Sequence, residues 1–105
     1  MQIYYTPEAL QDLQTVKDSI MEIFSDDKLA ADTLKSIVKS VRNLEVFPYM
    51  GKELVLSGGI STGYRYIFSK HNYVFYRIEQ DGVRIVRVLH ERQDYMRVLF
   101  GITEE

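Results

Sequence analysis

The chain has 105 residues with a formal net charge of −2, enough for one modest hydrophobic core and not two. It contains no Cys, which excludes disulfide staples, thiolate nucleophiles and Cys-based zinc sites. No apolar run approaches the roughly 18 residues that span a bilayer, and Met1-Gln2-Ile3-Tyr4-Tyr5 lacks the basic start and apolar stretch of a signal peptide, so a cytoplasmic protein without membrane contact is expected.

Charge is unevenly spread. Residues 1–60 carry 6 Lys and Arg against 9 Asp and Glu, whereas residues 61–97 carry 7 against 4, six of those seven being Arg. Local basicity can draw phosphate to an acidic protein, although solvated arginines on a strand face give the same count.

Gln2 to Thr6 reads as a short edge strand. Thr6-Pro7-Glu8 then supplies an N-cap, a proline at the first helical position and an acid near the positive helix end. Leu10, Leu13, Val16, Ile20 and Phe24 recur at helical spacing and predict an amphipathic helix over Pro7 to Phe24, with Gln11, Asp12, Gln14 and Lys17 on its outer face. Ser25-Asp26-Asp27 can cap a second helix, whose stripe Leu29, Ala30, Leu34, Ile37, Val38, Val41 and Leu44 runs to about Glu45. The connection is so short that the two helices should form an antiparallel hairpin. Neither carries a cluster of His, Asp or Glu on one face, and both read as scaffold.

Phe47-Pro48-Tyr49-Met50-Gly51 and Ser57-Gly58-Gly59 are turns. Tyr64 to Phe68, Tyr73 to Glu79 and Val83 to Leu89 are strands of a meander, joined by Ser69–Asn72 and by Gln80-Asp81-Gly82. Glu91 to Phe100 predicts a closing helix ended by Gly101. The order β-α-α-β-β-β plus a terminal helix argues for an α+β fold, a helical hairpin on one face of a small, mainly antiparallel sheet. In the middle strand, Val74, Tyr76 and Ile78 suit the core; Tyr73, Phe75, Arg77 and Glu79 would form the other face, left partly open.

Five stretches in order, Tyr4-Tyr5-Thr6-Pro7-Glu8-Ala9, Phe47-Pro48-x-x-Gly51, Gly63-Tyr64-Arg65, Tyr73-Val74-Phe75-Tyr76-Arg77-Ile78 and Ile85 through Asp94, give the chain a resemblance to the RelE/ParE toxin superfamily over nearly its whole length. That resemblance implies a toxin neutralised by a cognate antitoxin protein that wraps a helix or strand around it. It implies one of two targets: messenger RNA cut on the ribosome, or DNA gyrase bound without catalysis. Fold kinship does not choose between them.

RNA cleavage without a metal or cofactor needs a base for the 2′-hydroxyl, cations for the crowded phosphate and an acid for the leaving oxygen. Arg65, Arg77, Arg87 and Arg92 are the candidate phosphate ligands, since the guanidinium stays charged and grips phosphate through paired hydrogen bonds. Arg87 alternates with Ile85 and Leu89, however, a placement that equally allows a pair with Glu79 across the hairpin. His90 ends a strand, where a histidine serves equally as a proton carrier or as a structural hydrogen-bonding group. By resemblance to ribonuclease members, Arg65, His90, Arg92 and Tyr95 are the catalytic candidates, with Tyr73 for base stacking. Strongly active ribosome-dependent members are basic and crowd cations on the first meander strand, where Tyr64-Arg65-Tyr66-Ile67-Phe68 carries one. On that reading the toxin is a ribosome-dependent endoribonuclease; the alternative is a gyrase inhibitor.

Overall fold

The computed structural model describes residues 1–102. Its elements are β1 (Gln2–Tyr5), α1 (Pro7–Phe24), α2 (Asp27–Arg42) with a 3-10 turn at Asn43–Glu45, β2 (Lys52–Leu56), β3 (Ile60–Ser69), β4 (Asn72–Glu79), β5 (Gly82–His90) and α3 (Tyr95–Phe100). The sheet has the order β1-β5-β4-β3-β2. Among the described residues only β1 with β5 is parallel, so the α+β class and the mainly antiparallel sheet expected from the sequence are both present.

Capping chemistry fixes the helices. The Ala9 N–H donates to Thr6 Oγ1 at 3.0 Å, and Thr6 Oγ1 donates to the Val86 carbonyl at 2.8 Å, so one side chain starts α1 and ties it to β5. Asp26 accepts from the Leu29 N–H at 3.0 Å to start α2. The strands are longer than their aromatic centres predict, and β2 is an additional edge strand that the turn-rich reading of 47–59 passed over. The closing helix is shorter than expected. It starts at Tyr95, capped by Asp94, because residues 90–93 form a turn in which the His90 N–H donates to Gln93 Oε1 and the Gln93 N–H donates to the His90 carbonyl.

The hairpin of α1 and α2 covers one face of the sheet, burying Ala9, Ile37, Val41, Leu44, Val74 and Tyr76 in the main core. The opposite face is not left open along β4. Phe75 and Leu89 are buried there, and Tyr73 packs against them together with Tyr95, Leu99 and Phe100 of α3. Tyr73 sits 5.7 Å and Phe75 5.2 Å from the Tyr95 ring, which are packing distances between aromatic edges and faces.

A bulge in β5 opposite Phe75 and Tyr76 lets both Arg87 and Val88 address α1. Arg87 Nε and Nη2 donate to the Asp12 carboxylate at 2.7 and 2.9 Å, and the Val88 N–H donates to the same group at 2.9 Å. Asp12 is therefore buried between α1 and β5 rather than on the outer helix face, and α1 contributes a fixed charge as well as scaffold. Glu79 pairs with Arg84, not with Arg87.

Candidate functional site

Arg65, His90, Arg92 and Tyr95 occupy three separate places. Arg65 lies on β3 opposite Tyr76, which lies opposite Ile85; His90 lies opposite Asn72. Four residues along β4 separate these rows, about 13 Å at about 3.3 Å per residue. Arg65 Nη2 donates to the Tyr49 carbonyl at 3.3 Å and its guanidinium stands 5.2 Å from the Tyr49 ring. Tyr95 is on the other face of the sheet, against Tyr73 and Phe75. Of the four, the structure brings together His90 and Arg92 alone.

Those two sit at the sheet end with His71. The Arg92 N–H donates to His90 Nδ1 at 3.1 Å, so in the neutral ring the hydrogen is on Nε2. The His71 ring stacks on that of His90 at 6.4 Å, and His71 Nδ1 is 3.0 Å from Glu91 Oε1. Lys70 and His71 form the two central residues of the β3–β4 turn, both with positive φ, the geometry that matches the twist of a tight hairpin.

The remaining cations are committed elsewhere. Arg87 is held by Asp12, whose hydrogen bonds raise its pKa further, and it is on the α1 side of the sheet. Arg77 stacks on Tyr64 at 5.2 Å. Tyr95 is raised above its ordinary value of 10.0, first by burial and then by Tyr66 and Tyr73; it stays protonated at neutral pH and is a poor base. Among the described residues no group of His, Asp or Glu is arranged to hold a metal ion.

Between the second half of α1, the start of α2 and the turn at 90–93 runs an open groove of about 1010 Å³. Val16, Ile20 and Val88 line it, Phe24 and Leu29 stand at its lip, and Lys70, His71, His90 and Arg92 edge it. Asn72 borders the groove with only 3% of its surface exposed. Its Nδ2 donates to the Lys70 carbonyl at 2.8 Å, while Oδ1 has no partner. A buried acceptor left unmade costs about 1–3 kcal/mol. Sequence reading missed this groove, because its walls come from two elements read as scaffold.

A second surface forms around residues 46–50. Tyr76, fully buried, accepts from the Gly51 N–H at 3.0 Å and donates to the Pro48 carbonyl at 2.7 Å. The loop is thereby pinned from below. Burial raises the Tyr76 pKa above 10.0, opposed by the Gly51 amide and Arg65. The folded state thus favours the protonated phenol: the stabilisation is complete below the unfolded value and is lost as pH rises through the higher folded one. The urea midpoint should hold level from neutral pH to about 9 and fall above pH 10, and Tyr76→Phe should make that fall shallower. An equally steep fall in the variant would assign it to the other tyrosines.

The family model described as the ParE toxin of the type II toxin-antitoxin system, parDE, matches residues 3–95. The chain belongs to the ParE toxin family. It is thus a type II toxin of the RelE/ParE superfamily. No curated protein sequence is matched. Among solved structures, the chromosomal ParDE toxin-antitoxin system from P. aeruginosa is similar with 18% identity and a TM-score of 0.72, over 86% of this chain and 95% of that one. The RelBE2 toxin-antitoxin complex from Mycobacterium tuberculosis is similar with 22% identity and a TM-score of 0.59, over 85% and 95%. The E. coli DinJ-YafQ toxin-antitoxin complex gives 20% and 0.51, over 95% and 97%. At these identities the likeness to each solved structure is one of fold. The residues carried over by resemblance to ribonuclease members lie in three places on this fold, with His90 and Arg92 together.

Proposed function

We propose that this ParE-family toxin acts by binding a protein target, DNA gyrase, rather than by cutting RNA, and that a cognate antitoxin neutralises it. The observation that carries this reading is the separation of Arg65, Tyr95 and the His90–Arg92 pair. Acid–base cleavage of RNA needs base, cation and acid within hydrogen-bond reach of one phosphate, and rows about 13 Å apart along a strand do not meet there. The net charge of −2 adds to this, since affinity for a polyanion such as the ribosome grows with the number of phosphates neutralised.

The solved relatives are toxin-antitoxin complexes, which supports an antitoxin partner here. The groove beside α1 suits its docking segment, because an apolar floor with a polar edge accepts an amphipathic helix.

The test is a supercoiling assay with purified toxin and gyrase, paired with mapping of RNA 5′ ends after induction in cells. Loss of supercoiling with intact messages is the expected result. Fresh cuts at ribosome-bound codons, with gyrase unaffected, would return the toxin to the ribonuclease branch and place proton transfer at His90.

A further inference from the structure

We infer that the loop Val46–Met50 is the surface that docks the target protein, separate from the antitoxin groove, and that it takes a carboxylate of that target beside Arg65. This rests on the gyrase reading above and adds to it the surface and the chemistry of contact. Val46, Phe47 and Tyr49 are 71%, 65% and 68% exposed, and Met50 is exposed beside them. Large apolar side chains crowded on one loop mark a binding surface when they are contiguous. This loop is also rigid by construction: Tyr76 holds Pro48 and Gly51 from beneath, and Arg65 holds the Tyr49 carbonyl. A loop already fixed in shape loses little entropy on docking, so more of its contact energy appears as affinity.

Arg65 specifies the partner. The ion pairs among the described residues are His71–Glu91, Arg84–Glu79 and Arg87–Asp12. Arg65 has no such pairing even though Glu53 is its cross-strand neighbour, and the one hydrogen bond its guanidinium donates, from Nη2, goes to the uncharged Tyr49 carbonyl. A hollow of about 180 Å³ opens there, lined by Tyr49, Glu53, Gly63, Tyr64, Arg65 and Ile78. A carboxylate entering it would meet a guanidinium already held over an aromatic ring, a geometry that favours planar ion pairing. The hollow holds one cation, Arg65, and one acid, Glu53, while Phe47, Tyr49, Val46 and Met50 supply the apolar surface beside it. A single cation beside an acid gives little affinity for a polyanion, so the surface suits a protein patch that offers one carboxylate and apolar neighbours rather than nucleic acid. Arg65 lies about 13 Å along the sheet from the His90 row, so antitoxin and target need not share contacts.

The experiment uses the full chain, purified gyrase and purified antitoxin. Phe47→Ser, the combined Phe47→Ser/Tyr49→Ser/Met50→Ser and Arg65→Met are compared with wild type for gyrase capture, half-inhibitory concentration in supercoiling, antitoxin affinity and thermal midpoint. Loss of hot-spot anchors should raise the half-inhibitory concentration at least about tenfold, with antitoxin affinity within about twofold of wild type. Arg65→Lys should recover only part of the loss. Unchanged inhibition by Phe47→Ser and Arg65→Met overturns the docking surface while leaving the gyrase reading intact. Antitoxin affinity falling in parallel, in a variant with a native midpoint, overturns it too by making the loop an antitoxin contact. Should the combined variant not fold, the two single variants decide. A wild-type toxin that neither captures nor inhibits gyrase removes the function proposed above and this inference together.

Discussion

Replacing Asp12 with Ala should cost about 2–4 kcal/mol and lower the thermal midpoint by on the order of 10–20 °C, the largest loss expected from any single polar substitution here. The carboxylate answers three donors, two from Arg87 and the Val88 N–H. Its removal leaves a partly buried guanidinium and a buried amide without partners. Breaking a fully buried pair from one side costs about 3–5 kcal/mol. Here 27% of the Arg87 side chain remains exposed, and water recovers part of that. Asp12→Asn keeps an acceptor for the Val88 amide and should lose about half as much. The double change Asp12→Leu with Arg87→Met should regain much of the loss, because it removes both polar partners together. Urea unfolding of the four proteins measures this directly; an Asp12→Ala cost under about 1 kcal/mol would show that the bulge holds without the pair.

That residue also marks where sequence reading stops. The apolar stripe of α1 and its Thr6-Pro7 start place the helix at Pro7–Phe24, because capping and periodicity are local properties. Asp12 reads as an outer-face acid by the same local rule. It is buried by a partner 75 residues away, brought there by a bulge that no spacing announces. Lys52-Glu53-Leu54-Val55-Leu56 escaped notice as a strand for a related reason: two charges and flanking glycines mask a short edge strand that one neighbour suffices to hold. The candidate site failed to close for a geometric reason. His90, Arg92 and Tyr95 are near neighbours in sequence, but the 90–93 turn keeps the first two at the sheet end while α3 carries Tyr95 beneath the far face. Arg65 shares the sheet with them but not a row. Family membership, in contrast, was legible, since the ordered motifs that carry it are the turns, caps and strand centres that set the fold.

Gly51→Ala is the second substitution with a large expected effect, and it reaches activity through shape. A Cβ at Gly51 would lie 2.5 Å from Tyr76 Oη, 2.8 Å from its ring and 2.7 Å from the Tyr66 carbonyl. The Tyr76 ring is enclosed by the main core and cannot swing aside, and the carbonyl belongs to β3. The loop itself must therefore lift, breaking the bonds from Gly51 to Tyr76 and from Tyr76 to Pro48. Overpacking of this kind costs about 1–3 kcal/mol, with up to about 1–3 more if either buried polar group stays unpaired. Gly59, with a positive φ but nothing within 4 Å of its Cβ position, provides the contrast: Gly59→Ala should cost about 1–2 kcal/mol of backbone strain alone. Hydrogen exchange at Phe47–Gly51 should rise sharply in Gly51→Ala and remain native in Gly59→Ala. If the apolar side chains of this loop act because they are held in place, Gly51→Ala should lose most toxicity while still binding antitoxin, with every exposed loop side chain unchanged. Full toxicity in a variant whose loop exchanges freely would mean that the loop's order contributes nothing to its action.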